Sequence, residues 1–181
     1  MSRKRPKYRS GSAPGRPSRL SGLRLALVAA TGIAIGIAIY AAVTWIDGLD
    51  MALREATANS SRLLLRGLGW GVSLDGTTLV VPSARLLVST ECTSLGATAF
   101  LWGALLAFPA PWSGKGLGLL VGAAALFVVN AVRVVTLVYV SAYAPAWLDV
   151  AHLLVWQTLM VVLALALFLL WTQRFALSHT R

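Results

Sequence analysis

The sequence predicts an all-α polytopic membrane protein, with about four transmembrane helices and a small extracytoplasmic cap made of a helix and a hairpin. Three observations predict it. Of the 181 residues 57% are hydrophobic and the mean hydropathy is +0.75, too apolar for a soluble domain. Several apolar runs approach or exceed the ~20 residues that a helix needs to cross a bilayer. Seven of the sixteen basic residues fall within the first nineteen positions, just before the first apolar run. That asymmetry places the N-terminus in the cytoplasm and lets the tail meet anionic lipid headgroups. The net charge of +10 does not indicate nucleic acid. Apart from Tyr8 the basic tail lacks interleaved aromatics, so no nucleic-acid partner is expected.

Residues 1–20, rich in Arg, Ser, Pro and Gly, are expected to form a disordered basic cytoplasmic tail ahead of a membrane-embedded domain over 21–172. The first span is placed at 25–46, about 33 Å of helix, with Trp45 at the far interface. Its apolar run exceeds the core of a cleavable signal peptide, and no clear small-x-small site follows, so an uncleaved helix is expected. Residues 47–90 then form the cap. Leu49, Leu53, Ala56, Leu63 and Leu64 recur at roughly helical spacing among Arg54, Glu55, Arg62 and Arg66, which predicts an amphipathic interfacial helix. Asp75-Gly76, set between alternating apolar residues, predicts a hairpin. Pro82 ends its second strand, and a further extended stretch is expected over 85–89.

The second span is placed at 93–108 and is short. Pro109 to Lys115 reads as a loop, cytoplasmic by its one charge. The third span is placed at 116–140 and the fourth at 150–171. A tail over 173–181 carrying Arg174 and Arg181 returns to the cytoplasm. The chain has six acidic residues and so lacks a halophile's acid-rich surface, which favours a bacterial inner membrane.

Three residues in or beside these apolar segments are unusual. Cys92, the sole cysteine, sits where the cap meets the second span, which excludes an internal disulfide and any cysteine-rich metal site. Arg133 lies seventeen residues beyond Gly116 on the third span, about 25 Å along a helix running outward. His152 opens the fourth span. The topology therefore delivers all three to a similar depth near the outer face. A lone Cys is commonly a packing residue and a lone His near a helix end a simple interfacial one. A guanidinium inside an apolar span is harder to dismiss, because it is costly there unless it snorkels to headgroups or is used. Together the residue types suit acyl transfer. A cation favours the thiolate, imidazole moves protons, and arginine stabilises a thiolate or an oxyanion. Glu91 and Asp149 flank the group and read first as interfacial charges. No metal or cofactor is expected.

At these residues the chain resembles the exosortase/archaeosortase family of membrane-embedded cysteine transpeptidases. The resemblance covers about residues 70–171 and rests on Cys92 after an extracytoplasmic segment, Asn130-x-x-Arg133 in the next span and His152 opening the one after. It implies that Cys92 is the nucleophile, that Arg133 and His152 complete the catalytic set, and that Asn130 helps position Arg133. It implies substrates that are secreted proteins ending in a short recognition motif, a transmembrane helix and a basic cluster, cleaved at the outer surface through a thioester and then hydrolysed or transferred. The chain departs from the family in having Cys92-Thr93-Ser94 where many members have Cys-Ser-Gly, and four expected spans where larger members have about eight. Two other readings stand beside this one: a non-enzymatic assembly or transporter subunit, in which Cys92 is dispensable, and a membrane thiol protease that only hydrolyses.

Overall fold

The computed structural model describes residues 19–175; the side chains of Arg19, Leu20, Ser21 and Asp47 lie outside the description. Most of the expected N-terminal tail and the last six residues of the expected C-terminal tail also fall outside it. Five long helices form the fold: α1 (Arg19–Trp45), α2 (Asp47–Gly67), α3 (Leu95–Ala107), α4 (Trp112–Tyr143) and α5 (Gln157–Phe175). Between α2 and α3 lie three strands, β1 (Ser73–Asp75), β2 (Thr78–Val81) and β3 (Ala84–Leu87), and a 3-10 turn at Thr90–Cys92. A second such turn, Pro145–Trp147, and a π-helical stretch, Val150–Trp156, lead from α4 into α5.

Three helical segments are long and apolar enough to cross a membrane: Gly22–Trp45, Trp112–Tyr143 and Pro145–Phe175. The second expected span, placed at 93–108, is the thirteen-residue α3, about 20 Å of helix, which is shorter than a bilayer core. It is an apolar helix held inside the bundle. α1 crosses it where Gly32 and Gly36 meet Gly103: a Cβ on Gly103 would run into the Gly32 carbonyl, and one on Gly36 would lie 3.0 Å from the Ala99 carbonyl. Small residues at i and i+4 permit this backbone approach between apolar helices.

The stretch expected as a loop through Lys115 is instead helical from Trp112, directly after Pro111. Tertiary bonds hold that first turn. Trp171 Nε1 donates to the Gly114 carbonyl at 2.7 Å, and buried Lys115 extends its Nζ to the Leu106 carbonyl at 2.7 Å. Lys115 thus satisfies a carbonyl that α3 leaves open at its C-terminal end. Its charge also lies over the Trp112 ring, 4.9 Å from the centroid.

The cap has the expected helix and hairpin, and the hairpin turn lies one residue further along. α2 packs inward through Asp50, Thr57, Ala58, Ser61 and Leu65, while Leu49, Leu63 and Leu64 point outward. The apolar periodicity therefore marks the face turned away from the protein. The Thr57 and Ser61 hydroxyls go inside because each donates to its own helix, to the Leu53 and Thr57 carbonyls at 2.8 Å. The hairpin pairs Asp75 with Thr78, so Gly76 and Thr77 are the central turn residues and Asp75 closes β1. Gly76 has φ +59°, and it takes the first central position, where a two-residue hairpin turn of this kind favours glycine. The second turn falls at Pro82-Ser83, between the paired Val81 and Ala84.

Two cores result. At the sheet end, Leu79, Val81 and Val88 pack with Ala58 and Leu65 of α2 and Val134 and Val138 of α4, and Cys92 belongs to this cluster. In the other, Leu101 and Leu105 of α3 meet Leu126 of α4 and Met160, Ala164 and Trp171 of α5.

Candidate active site

Cys92 ends the 3-10 turn between β3 and α3 and is 4% exposed. Such a turn is too short to hold its own shape, and its bonds show what fixes it. The Cys92 N–H donates to the Ser89 carbonyl at 3.0 Å and Thr93 N–H to the Thr90 carbonyl at 3.1 Å. The Thr93 hydroxyl reaches that same Thr90 carbonyl at 2.7 Å. From α4, Asn130 Nδ2 donates to the Cys92 carbonyl at 2.8 Å. From α2, Asp50 Oδ1 accepts the Thr90 hydroxyl at 2.8 Å.

His152 comes to the thiol from the π-helical stretch. Its Nε2 lies 3.8 Å from Cys92 Sγ, within reach of a sulfur hydrogen bond whose direction depends on the imidazole tautomer. The Ser89 hydroxyl also faces Sγ at 3.7 Å, and the thiol lies 3.9 Å from the Leu87 carbonyl. Hydrogen bonds of i→i+5 type widen a helix locally, and such stretches often occur at functional sites. Here the widened turn is the one that carries His152.

Arg133 sits one turn beyond Asn130 on the buried face of α4 and is 2% exposed. Its charge lies within electrostatic range of both Cys92 and His152. Arg133 Nε and Asn130 Oδ1 are buried without a hydrogen-bond partner. Groups left open in this way inside a protein are rare and costly. The three residues singled out in the sequence are thus gathered at one place. Asn130 is there too, bonded to the Cys92 backbone, so its contact is with the Cys92 turn, whereas the resemblance implied a role on Arg133.

A cavity of about 580 Å³ opens beside them. Glu91, Thr93, Arg133 and His152 line its polar end, and Phe100 and Met160 its apolar side. Cys92 lies behind that wall. The Glu91 carboxyl is held below the ordinary carboxylate range, first by a hydrogen bond from Ser89, then by its own backbone N–H, and beyond these by the charges of His152 and Arg54. Asp149 is a second carboxylate in range of His152. Among the described residues no three His, Cys, Asp or Glu side chains cluster as metal ligands would.

Ser89, Thr90 and Asp50 were not legible in the sequence as parts of this site. Ser89 reads there as the end of an extended stretch, Thr90 as a neighbour of Cys92 with no role of its own, and Asp50 as a capping-type residue at the start of the cap. The π-helical turn leaves no compositional mark. A family model described as transmembrane exosortase matches residues 19–172. No curated protein and no solved structure matches the chain.

Proposed function

This chain belongs to the transmembrane exosortase family, and from that premise we propose that it is a membrane-embedded cysteine protease or transpeptidase. It acts on the C-terminal sorting region of secreted proteins. The observation that carries the reading is the 3.8 Å approach of Cys92 Sγ to His152 Nε2 beside the buried Arg133. Neutral His152 takes the thiol proton, and the thiolate forms next to the Arg133 guanidinium, which favours the charged form. Sγ attacks the peptide carbonyl carbon. The electron pair moved onto the oxygen is stabilised by the same cation. The C–N bond then breaks, the amine leaves with the proton held by His152, and a thioester remains on Cys92. Water or an acceptor nucleophile gives a proton to His152, attacks the thioester and releases the thiol.

The cavity supports this division of labour, since its polar end carries the proton carrier and the cation while its apolar side suits a membrane-borne segment. The thiol lies behind the cavity wall, so substrate binding includes a local opening at Glu91, Thr93 or His152. The basic N-terminal tail supports cytoplasmic termini in an inner membrane, with the cap and Cys92 on the outer side. The substrate on this reading ends in a recognition motif, a transmembrane helix and a basic cluster. The test is trapping. A substrate tail incubated with the full chain in membranes and quenched in acid should give a thioester adduct on Cys92 that hydroxylamine cleaves. Processing that survives Cys92→Ala would remove the enzyme reading and leave a membrane subunit.

A further inference from the structure

The turn that carries Cys92 is held from two sides, and only one of them belongs to the spanning helices. On the α4 side, Asn130 Nδ2 binds the Cys92 carbonyl at 2.8 Å. On the other side the partner is Asp50, forty residues away on the amphipathic helix α2, whose Oδ1 accepts the Thr90 hydroxyl at 2.8 Å. Asp50 is 8% exposed, and its second oxygen takes Arg54 Nη2 at 2.8 Å, one helical turn on. Its carboxylate caps no helix: the position before α2 is Ile46, with no side-chain capping bond. A near-buried carboxylate with one oxygen on an arginine and the other on a distant threonine is fixed in orientation. Thr90 opens the turn that Cys92 closes, so a force on the Thr90 side chain rotates the whole turn.

We infer that Asp50 is a positioning residue. It locks the Thr90–Cys92 turn in the orientation that holds Sγ against His152, and it thereby makes the interfacial helix α2 part of the catalytic machinery. Arg54 serves by holding the Asp50 carboxylate in place. The inference rests on Cys92 and His152 acting together as proposed above. Without the Asp50–Thr90 bond, the turn keeps its own two backbone bonds and the Asn130 tether. It can then pivot about the Cys92 carbonyl and carry the thiol away from Nε2.

The test is the pH dependence of iodoacetamide alkylation of the full chain in native membranes, with Cys92 as the sole thiol. The midpoint reports how well the surroundings stabilise the thiolate, and the high-pH plateau reports access. Thr90→Val, close in shape but without the hydroxyl, should raise the midpoint by about one unit, equivalent to about tenfold less thiolate below it. Thr90→Ser should recover most of that shift. Asp50→Asn keeps an acceptor for Thr90 but weakens the tie to Arg54, so it should fall between the wild type and Thr90→Val. A plateau that rises with an unmoved midpoint would show simple loosening, and would overturn the inference. So would a Thr90→Ser midpoint as far displaced as that of Thr90→Val. Should Thr90→Val fail to accumulate, Asp50→Asn and Thr90→Ser decide by the order of their midpoints. An ordinary thiol midpoint in the wild type overturns the Cys92–His152 reading and this inference together, whereas a low wild-type midpoint unmoved in all three variants overturns this inference alone.

Discussion

Cys92 Sγ and His152 Nε2 stand 3.8 Å apart although sixty residues of chain separate them. Neither residue is on a regular α-helix or strand. Cys92 ends a one-turn 3-10 helix and His152 lies on a π-helical stretch, so both side chains are aimed by irregular backbone that tertiary bonds support. On the proposed mechanism His152 supplies general acid–base catalysis, whose loss costs about 10²- to 10⁴-fold. His152→Ala should therefore lower the rate of acylation by about that much. Membrane insertion should be unchanged, because the residue is only half-buried. Single-turnover formation of the Cys92 thioester is the measurement, and a His152→Ala protein that acylates at the wild-type rate would leave the pair without a role.

Arg133 has a different signature. Its guanidinium is buried and Nε has no partner in the free protein, so one donor is open for a group that arrives with substrate or in the transition state. Arg133→Lys keeps the charge but loses the planar fork, and should cost at least about tenfold in acylation if that donor matters. Arg133→Gln should cost more, since it removes the charge beside the thiolate as well. Equal rates for the Lys variant and the wild type would mean that the residue acts as a point charge only.

How much of this was legible beforehand follows from what each feature depends on. The apolar runs and the charge asymmetry carry the membrane class, because bilayer solvation acts on composition over whole segments. Cys92, Arg133 and His152 stood out because each is rare or costly in an apolar run, and counting depth along helices brought them to one level. The residues that contact the Cys92 turn could not stand out. Asp50, Ser89 and Thr90 are ordinary residue types at a helix start and a strand end, and their roles come from contacts that no local pattern encodes. The inward face of α2 was not legible for a related reason. Periodicity finds the apolar stripe, but in a membrane protein that stripe can face outward while Thr57 and Ser61 bond to their own helix and go inside. The loop expected at 109–115 failed at Trp112-Ser113-Gly114-Lys115, where Trp171 and the reach of Lys115 to Leu106 make a helical turn out of residues that locally read as a break.

Asn130 links packing to chemistry. Its Nδ2 holds the Cys92 carbonyl while its Oδ1 is buried unpaired, so the side chain already carries a desolvation cost that the one bond offsets. Asn130→Ala removes both atoms and leaves the Cys92 carbonyl without this donor. A loss of about 1–3 kcal/mol is expected, with slower Cys92 acylation. Thermal unfolding in detergent measures the first and thioester formation the second. Asn130→Asp should be worse on both counts, since it places a carboxylate against a carbonyl oxygen in a buried site.

The α1–α3 crossing makes a stability prediction independent of the site. Gly103 faces Gly32 and Gly36 so closely that a Cβ there has no room against the Gly32 backbone, and a backbone atom cannot swing aside as a side chain can. Gly103→Val should force the helices apart and destabilise the protein by about 1–3 kcal/mol or more. Gly116→Ala meets nothing within 4 Å and serves as the control. Equal thermal stability of the two variants would show that α1 is free to shift on α3.

Glu91 gives a pH prediction whose sign follows from its surroundings. The Ser89 hydroxyl is the first cause of its lowered pKa, followed by the Glu91 backbone N–H. A carboxyl whose folded pKa lies below its unfolded value adds stability above the unfolded pKa and loses it as pH falls through the folded one. The contribution is therefore complete at neutral pH and disappears only in acid, below the ordinary carboxylate range. Glu91 and Glu55 are the only glutamates in the chain, so carboxyl-carbon NMR of glutamate-labelled protein can follow the two, with Glu55→Gln assigning the pair. Glu91 should titrate below the usual range, and Ser89→Ala should move it upward. The same Ser89 hydroxyl faces Cys92 Sγ at 3.7 Å and has one proton to give, so it cannot serve the carboxylate and a thiolate together. If it turns to the thiolate when Cys92 ionises, raising the pH through the Cys92 titration should shift the Glu91 carboxyl resonance in a second step, and Cys92→Ala should abolish that step. A single-step titration in the wild type would show that Ser89 stays with Glu91 throughout.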